Sequence, residues 1–337
     1  MPDTLDRADR EICAALLRNG RAPWRLIAQA TGIQERTVAR RGTRLLDSGL
    51  VRVKGLSQPG LVNRGEGYLA RIACAPAELR GVAAWLAKRD ETLWVATLVG
   101  SSTVIAECYL RFEDRAGFIE EELAALPITH ASFAYIDHYR RTVRGWHPNI
   151  LRPEQLEQLG ENESRALAAT SRAGEGRPFD PDDVDLQIIE LLSTDGRLSI
   201  DAIASAVGIA KPTVRKRIAV MQETDFLSIR AVVDPALLGF PLEALLTVHA
   251  PLAELDAVGI ALAEHWRTRW AVQLPSERRA QALVTAESRF ELHALLRAFE
   301  ARLAPLGGRV EASPLLTHYK RSDVVLPAAE EPRTAHR

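Results

Sequence analysis

The chain has 337 residues, more than twice the ~150 usual for one domain, so two or more domains are expected. Its 47% hydrophobic and 26% charged residues exclude a mainly disordered chain, and a formal net charge of −1 excludes a general polycation. Three scattered cysteines (Cys13, Cys74, Cys108), no apolar run near the ~18 residues of a membrane helix and no basic-then-apolar start exclude a disulfide framework, a structural zinc site and a signal peptide. A cytoplasmic protein is expected.

In chain order, Ile12, Leu16, Leu26, Ile27, Val38 and Leu45 recur at helical spacing. Asp6 and Asp9 stand where carboxylates cap the first helix. Gly20 ends that helix, Pro23 opens a second, Gly32 ends it, and a third runs from Gln34 to Asp47. Three short helices with a Gly32-centred turn between the last two have helix-turn-helix layout. Ser48-Gly49 then turns into a strand, as in a winged version. Next come strands Tyr68–Cys74, Thr92–Val99, Thr103–Leu110 and His130–Tyr139, with helices Ala77–Lys88 and Asp114–Ala125. That order, β-α-β-β-α-β, is ferredoxin-like.

Residues 146–178 read as a linker, with a short helix over 153–169 and a Gly/Pro-rich charged end. A shift of 176 positions then realigns the chain on itself without a gap. Asp6 falls on Asp182, Asp9 on Asp185, Ile12 on Ile188, Gly20-Arg21 on Gly196-Arg197, Gly32-Ile33 on Gly208-Ile209 and Arg41 on Arg217. The chain is a tandem duplication. The fold class is α+β, with the domains expected as winged helix-turn-helix 1–55, ferredoxin-like 64–145, linker 146–178, winged helix-turn-helix 179–232, ferredoxin-like 240–321 and a frayed tail 322–337.

On a helical wheel of the third helix, Val38, Gly42 and Leu45 gather inward, while Arg36, Arg40 and Arg44 line the opposite side, flanked by Thr37 and Arg41. A solvated face of mixed charge is the ordinary alternative, but this stripe has one sign. Like charges one turn apart mildly destabilise an isolated helix, so an anionic partner, double-stranded DNA, is expected. Gln34, Arg36, Thr37, Arg40, Arg41 and Arg44 are the candidate DNA-binding residues of the first copy. Lys211, Thr213, Arg215, Lys216 and Arg217 are those of the second, where Pro212, Lys216 and Val220 replace the arginine stripe.

The run Leu5-Asp6-x-x-Asp9-x-x-Ile12, Gly20-Arg21, Ile27-Ala28, Gly32-Ile33, Thr37-Val38 and Arg41 resembles the N-terminal domain of Lrp/AsnC regulators. Asp182-x-x-Asp185-x-x-Ile188, Asp195-Gly196-Arg197-Leu198 and Thr213-Val214-x-x-Arg217-Ile218 resemble it more closely. The resemblance implies a sequence-specific transcriptional regulator whose ferredoxin-like domains pair. It also implies, in many members, an amino acid or other small-molecule effector bound between those domains. Gly100, Ser101 and Ser102 are the candidate effector contacts, although the acid that typically follows the family's loop glycine is missing here. Either intrachain pairing of the copies or a homo-oligomer is expected.

The chain is expected not to be an enzyme and to need no cofactor or metal. The alternative is a siroheme-decarboxylase-like enzyme, since that family resembles the same paired units, with His130, His138, His249 and His318 on or beside strands that could line its cleft. A partner protein that modulates other regulators without touching DNA is a third reading.

Overall fold

The computed structural model describes residues 5–57, 65–160, 180–224 and 226–330. The first three helices are α1 (Arg7–Arg18), α2 (Trp24–Thr31) and α3 (Glu35–Asp47), followed by β1 (Val51–Ser57). Their counterparts 176 residues on are α6 (Asp183–Thr194), α7 (Ile200–Val207), α8 (Lys211–Glu223) and β7 (Leu227–Val233). Asp6 and Asp182 cap α1 and α6 by accepting from the N–H groups of Asp9 and Asp185. Gly32 and Gly208 end α2 and α7 with φ of +76° and +71°, a left-handed cap that glycine adopts without strain.

The expected wings do not fold back on their own domains. β1 pairs antiparallel with β7, Val51 opposite Val233 and Ser57 opposite Leu227, so Lys54 and its counterpart Arg230 face each other on a local two-fold axis. Each strand closes the other copy's helical core: Ala231 and Val233 pack with Ile12, Leu16 and Leu45, while Val53 packs with Ile188, Leu192 and Phe226. The helix-turn-helix pair is therefore one body, not two beads.

The first ferredoxin-like unit comprises β2 (Glu66–Cys74), α4 (Leu79–Ala87), β3 (Thr92–Leu98), β4 (Thr103–Leu110), β5 (Ile128–Tyr135) and β6 (His138–Arg141). Its second helix, expected over 114–125, is a π-helical turn at Gly117–Glu122. The Leu123 N–H donates to the Phe118 carbonyl at 2.9 Å, five residues back. At 3.6 residues per turn, positions five apart would diverge around the helix; the wider turn buries both Phe118 and Leu123.

The second unit comprises β8 (Leu242–His249), α9 (Leu255–Glu264), β9 (Thr268–Leu274), β10 (Arg279–Ala286), α10 (Arg289–Leu303) and β11 (Arg309–Arg321). The units share one ten-stranded sheet, nine strands in the order β5-β2-β4-β3-β11-β8-β10-β9-β6 and a tenth, β12 (Val324–Val325), against β11, because β11 crosses to β3 and β6 crosses to β9. Side chains alternate along each strand. One set (Ala70, Ile72, Val95, Val104, Ala106) packs on α4, and its counterparts pack on α9 and α10. The other set, including Leu69, Trp94, Ile105, Leu245, Trp270 and Leu283, meets across a seam between the two half-sheets. The two copies thus pair within one chain.

Two expected boundaries shift. The start of the linker is core: Trp146, Leu151 and Leu159 are buried against the first helical domain, and α5 (Pro153–Gln158) docks there through a 2.8 Å bond from Gln155 to the Ala30 carbonyl. The rest of the helix expected over 153–169 lies from residue 161 outside the described residues. The tail is not frayed as far as residue 330, since β12 (Val324–Val325) pairs with β11 and α11 (Pro327–Glu330) buries Ala329.

Candidate nucleic-acid interface and the seam between the sheets

On α3, Val38, Gly42 and Leu45 are buried and Gln34, Arg36, Arg40 and Arg44 are exposed, with Thr37 half-buried beside them. Arg44 and Arg41 are also held from below. Asp9 is buried at the start of α1 and takes Arg41 at 3.0 Å and Arg44 at 2.5 Å; Asp6 takes Arg41 at 2.6 Å. These bonds fix α3 across α1. The Asp9 backbone N–H and then Arg41 hold the Asp6 carboxyl below its ordinary range, so Arg41 stays charged and engaged. Among the described residues, Arg36 and Arg40 make no ion pair.

The second copy repeats the tie, with Arg217 2.8 Å from both Asp182 and Asp185. Lys211 bonds Asp201 at 2.7 Å at the start of α7. Thr213, Arg215 and Lys216 are exposed, and Arg215 and Lys216 make no ion pair among the described residues. Among the described residues α3 and α8 therefore each present two exposed cations without an ion pair, and the local two-fold axis relates the two helices.

Gly42 has a structural reason. A Cβ there would lie 2.5 Å from the Trp24 ring. At the equivalent places the second copy has Ile218 and Ile200, so large-plus-absent is exchanged for medium-plus-medium. Trp24 in turn lies under the Arg197 guanidinium of the other copy, 4.5 Å from the ring centre.

The repeated Gly-Arg pairs hold the two domains together. Arg21 donates to the Gly196 and Leu198 carbonyls, both at 2.9 Å, and Arg197 donates to the Gly20 carbonyl at 2.7 Å. The Gly20 N–H bonds the Ile229 carbonyl at 3.0 Å and the Gly196 N–H bonds that of Val53 at 2.8 Å. A Cβ on Gly20 would lie 2.8 Å from the Arg230 Cα, which is why glycine stands there. The 176-residue repeat marked these residues, but single-domain reasoning gave Gly20 only a role in ending α1.

In the seam, Trp94 and Trp270 lie 6.3 Å apart across the pseudo-axis. On one side Glu243 is buried among Arg269 at 2.5 Å, Arg321 at 2.6 Å and His318 Nε2 at 2.8 Å. Burial works to raise the Glu243 pKa, but Arg321, His318 and Arg269 overcome it and hold the carboxyl well below its usual range. The Trp94 indole N–H donates to His318 Nδ1 at 3.2 Å, which puts the imidazole proton on Nε2, facing Glu243. Burial, then Arg321, lowers the His318 pKa, so the ring is neutral. On the other side, Glu107 accepts from Tyr109 at 3.0 Å and Tyr139 at 2.9 Å; burial pushes its carboxyl up.

The four strand histidines do not converge. His130 is exposed on β5, His138 pairs with Asp137 at 2.5 Å, His249 lies 3.9 Å from Glu311, and of the four it is His318 that lines the seam. Gly100, Ser101 and Ser102 form the β3–β4 turn at the surface, Gly100 having φ of +78°. Val99 beside them bonds the Pro314 carbonyl at 2.8 Å.

Residues 5–46 and 182–222 both match the AsnC-type helix-turn-helix domain. The chain is 28% identical over 85 residues to the HTH-type transcriptional regulator FL11 of Pyrococcus horikoshii, covering 25% of this chain and 56% of that one. It is 32% identical over 103 residues to the HTH-type transcriptional regulator AldR of Mycobacterium tuberculosis, covering 30% and 55%. The chain thus spans just over half the length of these curated relatives. The siroheme decarboxylase NirDL matches almost the whole fold, with TM-score 0.59, 11% identity and coverage of 93% of this chain and 92% of that one. NirDL in complex with an iron-uroporphyrin III analogue matches with TM-score 0.56 and 13% identity over 89% and 87%. The expectation of a non-enzyme is corrected by this finding, because the fold that accounts for both units together is that of an enzyme. No described helix is long and apolar enough to cross a membrane. The chain carries an AsnC-type helix-turn-helix domain at the head of each of two tandem units and is related through them to Lrp/AsnC-type regulators.

Proposed function

We propose that the protein is a sequence-specific DNA-binding transcriptional regulator that reads two half-sites with α3 and α8 of one chain. The observation that carries this reading is the pair Arg36 and Arg40, exposed on α3 without an ion pair among the described residues, while the neighbouring Arg41 is tied to Asp6 and Asp9. Two helices related by a local two-fold axis match the geometry of palindromic half-sites. Arg36, Arg40, Arg215 and Lys216 make the groove and phosphate contacts, with Gln34, Thr37 and Thr213 at the helix starts. Arg44 reaches DNA only by sharing its charge with Asp9, and Arg41, Arg217 and Lys211 chiefly hold the helices in place.

Arg36→Ala with Arg40→Ala tests this against genomic fragments retained by the wild type. Each neutralised phosphate contributes about 0.9 to the slope of log affinity against log salt, so two lost contacts flatten it by about 1.8. A base-reading arginine adds about 1–3 kcal/mol of specificity. Salt-insensitive retention, or an unchanged slope in the double variant, refutes the reading. We place a small-molecule effector at the Gly100-Ser101-Ser102 turn, beside β11 of the other unit. Amino acids that leave the DNA midpoint unchanged would remove that part.

A second reading is favoured by the seam: a siroheme-decarboxylase-like enzyme, whose whole-chain architecture this is, with Glu243, His318, Arg269 and Arg321 as its buried polar cluster. An iron tetrapyrrole whose absorbance shifts on addition of the protein, and shifts less with Arg269→Ala, would support it.

A further inference from the structure

Where the paired strands β1 and β7 meet the sheet seam, Leu17, Leu56, Trp146, Arg230, Arg269 and Ser322 line a cavity of about 10 Å³. That is the space in which the centre of a water-sized sphere can move, so one water or one monatomic ion fits. Arg230 and Arg269 are both nearly inaccessible to solvent, at 3% and 5% exposure.

Arg269 is paired with Glu243, which it shares with Arg321, but Arg230 has no carboxylate partner among the described residues. Its guanidinium donates to the Arg144 carbonyl and, at 3.0 Å, to that of Trp146; among the described residues no carboxylate pairs with it. The charges acting on it are those of Arg269, Arg144 and Arg141, all of its own sign. A buried, uncompensated cation is strongly unfavourable. Two of the five N–H groups of a guanidinium are spent on these carbonyls. The indole N–H of Trp146 and Nε of Arg269 are buried without any partner among the described residues. The functional groups left over at this cavity are therefore N–H donors, and the electrostatic need is for negative charge.

We propose that the cavity is a binding site for one small monovalent anion of halide size, held by the Arg230 guanidinium and the Trp146 indole N–H. A neutral water would satisfy the donors but not the charge. The ion joins β7 of the DNA-binding body to β9 of the sheet body. The site does not rest on the DNA-binding reading, and either can fail alone.

The test uses the full chain. At constant ionic strength, thermal unfolding in sodium chloride or bromide is compared with sodium gluconate, whose anion is too large to enter. A saturable rise in Tm with halide is expected, together with a bromide anomalous-scattering peak between Arg230 and Trp146 in bromide-soaked crystals. Arg230→Met should abolish the halide-dependent rise. Trp146→Phe should raise the half-saturating halide concentration by about three- to tenfold, the effect of one lost hydrogen bond. Equal Tm in the two salts, no bromide peak, or a halide rise kept by Arg230→Met overturns the site. If Arg230→Met does not fold, an unchanged half-saturation in Trp146→Phe overturns it.

Discussion

Replacing Arg197 by alanine should loosen the joint between the two helix-turn-helix domains while leaving the sheet body intact. The lost interactions are the 2.7 Å bond to the Gly20 carbonyl and the stack on Trp24 at 4.5 Å. A hydrogen bond from a charged donor contributes about 1.5–3 kcal/mol, and a half-exposed cation–π contact about 0.5–1 kcal/mol. The sum is about 2–4 kcal/mol. Unfolding of so large a chain need not be two-state, so native-state hydrogen exchange at β1 and β7 is the direct assay. At 1.4 kcal/mol per tenfold, their amides should exchange about 30- to 700-fold faster, while amides of β4 and β10 keep their protection. Arg197→Lys should recover little, because an ammonium lacks the planar fork that stacks on Trp24 while bonding a carbonyl. An acceleration below about twofold, the level of an ordinary surface change, would refute the clamp. So would an equal acceleration in both bodies.

Gly42→Ile alone should cost at least about 1–3 kcal/mol by overpacking Trp24, and Gly42→Ile with Trp24→Ile should recover most of it, since the second copy already uses two isoleucines there; thermal melts that show no recovery would contradict the packing argument. Asp9→Asn should free Arg44, leave Arg41 only its contact with Asp6, and destabilise the first helical domain more than Asp6→Asn, because Asp9 is buried and takes two arginines; equal losses in urea unfolding would deny this ranking. Burial, then Arg230, Arg18 and Arg141, hold His147 at about 3, so it stays neutral in the fold while the unfolded chain protonates it near pH 6.5. Its contribution is therefore complete above about pH 6.5 and falls toward pH 3, by about 2 kcal/mol between pH 7 and 5. His147→Gln should remove that share of the slope, and an identical pH dependence would refute the assignment.

Helix positions, caps and the duplication were readable because each is a local or self-similar signal. Asp6 and Asp182 cap as expected, and Gly32 and Gly208 carry the left-handed caps. Pairing partners were not readable. Strand β1 has a normal alternating pattern, and nothing local says that its partner lies 176 residues away in β7. The wheel correctly turned Arg44 outward, but a wheel gives direction without neighbours, so its bond to Asp9 was invisible. Trp146 sits beside His147 and Pro148 in a stretch that reads as linker, and its burial against Phe240 belongs to tertiary structure alone. In the candidate interface the wheel separated the buried from the exposed positions of α3, whereas the division between Arg36 and Arg40, without an ion pair among the described residues, and Arg41, tied to Asp6 and Asp9, depends on tertiary neighbours.

Fusion has let the two halves of the seam separate chemically. The register places Ala96 opposite His318 and Val272 opposite Tyr139, and Ala96 and Val272 are equivalent by the 176-residue shift, so His318 and Tyr139 occupy matching sites. Glu243 matches Gly67, where a Cβ would lie 2.8 Å from the Tyr139 hydroxyl. In a symmetric homodimer both sides would carry the same residues, so a glutamate at this position together with a tyrosine at the facing site would collide on both sides. Within one chain, Glu243 can sit among Arg269, Arg321 and His318 on one side, while Tyr139 fills the corresponding space and donates to Glu107 on the other. One side holds an ionised carboxylate among cations, the other a carboxyl whose pKa burial has raised. Any ligand chemistry in the seam is therefore single per chain, with one cationic end and one hydroxyl-rich end, just as α3 and α8 share a fold while Pro212 and Val220 stand where the first copy has Arg36 and Arg44.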